Sequence, residues 1–238
     1  MTTFKRDLIS DIEIIERLLL KCKSNISTSS FRRIISNLKK NGVIAYESGV
    51  LELKYNDTEI PRHLSHKNIE NLRLFFSIKL NMNYAKFSKN NDPFNHLEFN
   101  IFAYAINTNN KSSELVYSLH FDRHIGTTPS KEVHPMYHFQ FGGHKLKEKN
   151  IDYGQALFFD APRISYHPMD FILGLDFVLS NFFPNIWEAL KREGSYINII
   201  KKYQGYFMKP YYQSIGNSFD RSLPQNWDAK SIYPQLIG

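Results

Sequence analysis

Five of the nine histidines, His120, His124, His134, His138 and His144, fall between residues 120 and 144, and imidazoles at that density are candidates for proton transfer or metal binding. They lie in two segments, Ser118-Leu-His-Phe-Asp-Arg-His124 and His134-Pro-Met-Tyr-His-Phe-Gln-Phe-Gly-Gly143. Both alternate large apolar with polar residues at the period of a β-strand. In the first, Leu115, Tyr117, Leu119 and Phe121 mark a core face, so Ser118, His120, Asp122 and His124 share the other. In the second, Tyr137, Phe139 and Phe141 point inward, which sets His134, His138 and Gln140 opposite. His144 falls beyond Gly142-Gly143 and leaves the set, and His134 stands at a loop margin.

Pairing the two segments as an antiparallel hairpin with their core faces together places His120 across from His138 and His124 across from His134. Residues 97–106 repeat the alternation upstream, with Leu97, Phe99 and Ile101 inward and Glu98 and Asn100 outward, beside Asp122 and His120. Opposed side chains on one face stand roughly 4.5–5.5 Å apart at Cβ, close enough to share a proton or an ion. Three chemistries fit. His120, Asp122, His124 and His138, with Glu98, match the donor set of a divalent ion such as zinc, manganese, iron or nickel that activates water. Without a metal, His120 and His138 would be general base and acid on a ribose hydroxyl and a leaving oxygen, Asp122 would fix a tautomer, and Gln140 with Arg123 or Lys145 would meet the phosphate. The plainest reading is a polar sheet face, or histidines satisfied beneath helices.

A second segment, Asp160-Ala-Pro-Arg163-Ile-Ser-Tyr-His167-Pro-Met-Asp170, joins a short apolar strand at residues 156–159 to an apolar helix. A helix start attracts anions, so Arg163 and His167 are candidates for substrate binding. The competing reading has Asp170 and Ser165 capping the helix and Arg163 pairing with Asp160. Phosphate-binding glycine loops, dinucleotide fingerprints and zincin helix motifs do not occur. Glu52-Leu-Lys54 resembles the Glu-x-Lys element of restriction-type nucleases, but the preceding strand has no aspartate.

The elements that must carry these residues are legible in outline. Leu8, Ile12, Ile15 and Leu19 predict an amphipathic helix, and Phe31, Ile34, Ile35 and Leu38 a second one after Ser27-Thr-Ser-Ser30, ended by Gly42. Arg32 and Arg33 lie on its outer face. Residues 43–46 and 50–55 read as a hairpin around Glu47-Ser-Gly49. Helix, basic helix and hairpin over residues 7–56 resemble the winged-helix DNA-binding modules, and that resemblance implies a second helix in the major groove with the hairpin flanking the backbone, which makes Arg32 and Arg33 candidates for substrate binding.

After a polar stretch at residues 57–71, alternation from Leu72 to Met82 predicts a long half-buried strand. Residues 168–183, 185–192 and 195–203 predict helices, and the tail from Gly205 an irregular cover. In that tail and just before it, Lys201, Lys202, Tyr203, Tyr206, Lys209, Tyr211 and Tyr212 interleave charge and aromatic rings as single-strand binders do, though buried tyrosines are the commoner explanation. The expected fold is α+β: N-terminal helices, a mostly antiparallel sheet of about five to seven strands and a C-terminal helical layer. The expected division is a winged-helix-like segment over 1–56 and an α+β domain over 57–238.

Composition narrows the function classes. The formal charge is +7, yet residues 1–41 hold nine Lys and Arg against four Asp and Glu, so the basic surplus is N-terminal and suits a phosphate partner. The single Cys22 excludes an internal disulfide and a cysteine zinc site. No apolar run has the roughly 18–20 residues of a membrane helix, which fits a cytoplasmic protein without a membrane role. The expectation is a nucleic-acid-directed hydrolase, a small nuclease or toxin-like phosphodiesterase. The alternatives are a non-enzymatic DNA-binding or protein-interaction component and an enzyme for small molecules.

Overall fold

Apolar residues at helical spacing build the first layer of the computed structural model, which describes residues 2–22, 26–40, 42–55, 69–109, 114–124, 133–142, 163–220, 222–224 and 226–236. Helix α1, Thr3–Lys21, starts where the Thr2 side chain accepts from the Lys5 N–H at 3.3 Å, and it buries Leu8, Ile12, Ile15 and Leu19. Helix α2, Ser29–Lys40, buries Phe31, Ile34 and Leu38. Both helices feed one core cluster that also takes in the sheet and the C-terminal helices.

The sheet is antiparallel and has seven strands: β1 Ile44–Glu47, β2 Leu51–Lys54, β3 Ile69–Met82, β4 Phe94–Asn107, β5 Glu114–Arg123, β6 Tyr137–Phe141 and β7 Ile164–Ser165. Its order is β1-β3-β4-β5-β6-β7, with β2 also on β3. A short helix, α3 Tyr84–Phe87, bridges β3 to β4. Alternation survives intact in β3, where Leu72, Leu74, Phe76, Ile78, Leu80 and Met82 are buried. The expected α+β architecture is what the chain adopts.

Residues 43–55 do not form the expected hairpin. β1 and β2 pair end to end along β3, Glu47 opposite Lys79 and Leu51 opposite Phe76, instead of with each other. β3 spans 14 residues, enough to host both. Ser48 bridges the break: its N–H donates to the Ile78 carbonyl at 2.9 Å, and its Oγ accepts from the Ile78 N–H at 3.0 Å. Gly49 turns the chain there at φ 66°. This pairing removes the hairpin on which the winged-helix resemblance rests.

Helix α4, Phe171–Phe182, follows Pro168 and begins at Asp170, whose side chain accepts from the Leu173 N–H at 3.0 Å. Then come α5 Pro184–Leu190, α6 Gly194–Tyr203 and a π-helical turn at Gln204–Met208. The tail is more regular than its prolines suggested, with helices α7 Lys209–Asn217 and α8 Ala229–Ile232. Pro210 is the second residue of α7, which follows the π-helical turn directly. Tyr203 and Tyr211 are buried, so the tyrosines at those two positions serve packing. The expected strand at residues 156–159 lies outside the described residues, as do positions 57–68 of the polar stretch. Among the described residues no helix is long and apolar enough to cross a membrane.

Helix α4 lies directly on the sheet. A Cβ added at Gly174 would stand 2.7 Å from Phe99 Cε2 and 3.3 Å from Phe76 Cζ. Gly174→Ala is therefore expected to lower stability by about 1–3 kcal/mol in urea unfolding, against the usual helical preference for Ala. Gly216→Ala in α7, where no atom lies within 4 Å of the added carbon, is the opposite control.

Candidate functional site

Strand parity fixes the faces and register fixes the neighbours. On β4 and β5, Glu98 stands opposite Asp122 and Asn100 opposite His120, as the alternation predicts. Between β5 and β6 the pairing is displaced by one opposed pair from expectation: His120 faces Gln140, and Asp122 faces His138. The displacement keeps every side chain on its expected face and puts a carboxylate, instead of an imidazole, opposite His138.

The result is a continuous polar run. Asn100 Nδ2 donates to Glu98 Oε1 at 3.0 Å, and Asn100 Oδ1 lies 2.8 Å from His120 Nδ1. His120 Nε2 is 2.9 Å from Asp122 Oδ2, while His138 Nε2 is 3.3 Å from the other oxygen, Oδ1. His138 holds its Nδ1 3.1 Å from the Pro135 carbonyl, which orients the ring. The His134 ring meets His138 edge-on at 4.6 Å between centroids and lies over His124 at 3.8 Å. One carboxylate thus sits between two imidazoles, and two more continue the line.

Exposure grades along the run. His138 is buried, its side chain 2% exposed, while His120 and Asp122 are 25% and 31% exposed. His124 and His134 are half-buried. Burial pushes the Asp122 carboxyl up, but the His120 hydrogen bond and the surrounding imidazoles outweigh it and hold it below its ordinary value. Burial lowers His138. His134 is lowered to about 4 by burial, by His138 and His124, and by Arg163. At neutral pH, His134 is an uncharged base beside an ionised carboxylate.

The ligand set expected for a metal does not converge. Among the described residues no group of three His, Cys, Asp or Glu side chains is placed to hold a metal ion. The reason is local: both ring nitrogens of His120 and the Nδ1 of His138 face hydrogen-bond partners, and both Asp122 oxygens face imidazoles. Glu98 turns to Asn100, and its other oxygen lies 3.8 Å from His96 Nε2.

The remaining candidates divide. Gln140 lies on the outer face opposite His120. Arg163 lies near enough to His134 and His138 to oppose their protonation. His167 is outside the run: it is buried, stacks on Tyr166 at 4.2 Å, and its Nδ1 lies 3.1 Å from the Tyr212 hydroxyl. Burial lowers it to about 4, so at neutral pH it offers an anion no charge.

Arg32 and Arg33 face Glu16 and Glu47 at 3.8 and 3.7 Å, weak exposed pairs on the α2 side of the molecule. β1, which carries Glu47, is four strand steps from β6, about 19 Å, so these arginines stand away from His124, His134 and His138, while Arg33 lines a groove with His96 on β4. Arg123 points inward, with Nη2 3.0 Å from Asp92 Oδ2, while the Tyr137 hydroxyl donates to Asp92 Oδ1 at 2.5 Å. In that trio Arg123 and Asp92 are half-buried, and Arg123 is engaged away from the outer face. Lys145 and His144 lie outside the described residues.

Two members were passed over in the sequence. His134 belongs to the run although its loop-margin position argued against it. His96 extends the run along β4 and shares the parity of Glu98 and Asn100, which was the available signal. Beyond His96 the face opens into a groove lined by Arg33, Asn37, Glu47, Lys79 and Asn81. No protein-family model, curated protein or solved structure matches this chain.

Proposed function

We propose that this chain is a nucleic-acid phosphodiesterase that works by proton transfer along the imidazole run. The observation that carries the reading is Asp122, each of whose oxygens faces an imidazole, with His134 packed edge-on to His138 and tilted over His124. His120, with both ring nitrogens at hydrogen-bond partners, and His138, with Nδ1 at the Pro135 carbonyl and Nε2 3.3 Å from Asp122 Oδ1, act as positioning residues for Asp122. The reacting pair is His134 and His124. His134, uncharged at neutral pH, takes the proton of the attacking hydroxyl, and His124 delivers one to the leaving oxygen. Arg163 supplies positive charge beside His134, where the phosphoryl oxygens gain charge in the transition state.

His134→Ala and His124→Ala are each expected to reduce cleavage of a labelled oligonucleotide by about 10²–10⁴-fold, with chelator present in every reaction. In wild type, kcat/KM rises with pH as His134 loses its proton, so the acid limb lies near pH 4. Cleavage that chelator abolishes, or that survives both substitutions, counts against the proposal.

A further inference from the structure

We propose that the substrate is single-stranded RNA, whose bases stack on an aromatic row beside the histidine run; this rests on the phosphodiesterase reading above. The outward positions of β3 and β4 hold three rings, Phe75, Phe102 and Tyr104, with Ile106 beyond Tyr104 and Asn100 beyond Phe102. Phe75 and Phe102 are cross-strand partners with centroids 6.3 Å apart. All three are partly exposed, and none belongs to the buried core cluster. Ser77, Lys79 and Asn81 occupy the neighbouring outward positions of β3. Aromatic rings on a solvent-side sheet face are the platform that single-stranded RNA uses, because an unpaired base offers a flat apolar surface of matching size.

Register ties the row to the chemistry. Phe102 opposes Ser118 on β5, so His120 is its diagonal neighbour at about 7–8 Å. Ser118 itself is buried, but from His120 four residues of chain lead past Asp122 to His124, half-buried positions spanning about 13 Å, which a strand of a few nucleotides covers. Cations border the row. Arg73 opposes Tyr104, and Arg73 and Lys54 stand 3.4 and 4.0 Å from Glu52 in exposed pairs that exchange readily for phosphate. A duplex hides its base faces and cannot use such a row.

RNA carries its own nucleophile. The 2′-hydroxyl proton passes to His134, the 2′-oxygen bonds to phosphorus, and the bond from phosphorus to the 5′-oxygen breaks. The 5′-oxygen takes a proton from His124, leaving a 2′,3′-cyclic phosphate and a 5′-hydroxyl. No oxidant, metal or added nucleophile is needed to balance this step.

The test uses the full chain carrying His134→Ala, so that bound RNA stays intact, and a fluorescent ten-nucleotide single-stranded RNA read by anisotropy. Adding Phe102→Ala is expected to weaken binding at least tenfold, adding Phe102→Tyr less than threefold, and a duplex of the same sequence to bind at least tenfold more weakly. Wild-type chain is incubated in parallel with the RNA and its all-deoxy counterpart, and only the RNA is expected to be cut, with a cyclic phosphate end. Equal binding of the Ala variant, equal binding of the duplex, or cleavage of the deoxy strand overturns this inference while the phosphodiesterase reading stands. Ring-dependent RNA binding without any cleavage overturns the phosphodiesterase reading and upholds the RNA surface.

Discussion

Asp122→Asn is expected to reduce phosphodiester cleavage by about 10²–10⁴-fold while leaving the fold intact. Asparagine has nearly the same shape, but its amide gives only one oxygen to the two imidazoles that Asp122 now faces. The NH₂ group would point at His120 Nε2 or at His138 Nε2, and no negative charge would remain to balance a proton moving along the run. A second readout separates a positioning role from mere damage. Asp122 raises His134, so its neutralisation should move the acid limb of kcat/KM to lower pH. Single-turnover cleavage across pH measures both effects. An Asn variant within tenfold of wild type, with the limb unmoved, would remove Asp122 from the mechanism.

Asp170→Asn should act on stability, and in the stabilising direction above neutral pH. Asp170 is buried, and burial raises its carboxyl to about 7. One oxygen caps α4 through the Leu173 N–H, while Oδ2 has no hydrogen-bond partner. The Leu173 and Ile172 N–H groups favour the charged form, but burial outweighs them, Asp11 raises the carboxyl further, and the hydroxyls of Tyr46 and Tyr203 lie near enough to be raised in turn. Asp11 itself is held by Lys202 and by the Tyr203 hydroxyl at 3.0 Å.

The sign follows from proton counting. Between about pH 4, where an unfolded aspartate ionises, and about pH 7, the native state keeps a proton that the unfolded state has released. Stability therefore falls as pH rises through that window and levels off above it. The full loss is on the order of 4 kcal/mol, from a raised value of about 7 at roughly 1.4 kcal/mol per unit. Asparagine keeps the capping oxygen and discards the charge. The variant should match wild type near pH 4 and exceed it by about 2–4 kcal/mol at pH 8 in urea unfolding. An unchanged pH slope would show that Asp170 is solvated.

The faces of the sheet were legible because pleating alternates without exception over short runs. Leu119 and Phe121 inward and His120 and Asp122 outward needed only a period of two. Register was less legible, because it depends on the chain between β5 and β6, and a shift by one opposed pair leaves every face unchanged. That shift is why the expected His120–His138 contact became Asp122–His138, a carboxylate between imidazoles. The false hairpin at residues 43–55 has a different origin. Glu47-Ser-Gly49 is sound turn chemistry, and the alternation of residues 72–82, long enough for both segments, does not say which segments lie along it. His167 misled for want of context, since a histidine before a helix looks alike whether it meets an anion or a tyrosine.

The break at Ser48 also governs how the sheet ends. A sheet edge normally offers a straight ladder of N–H and C=O groups on which a stranger's strand can grow, the first step toward fibres. Among the described residues one margin is two four-residue pieces set out of step, and the other, β7, is two residues long. Neither of these pieces gives an incoming strand a run of more than a few bonds. Margins so short and so offset limit how far a stranger's strand could grow along them.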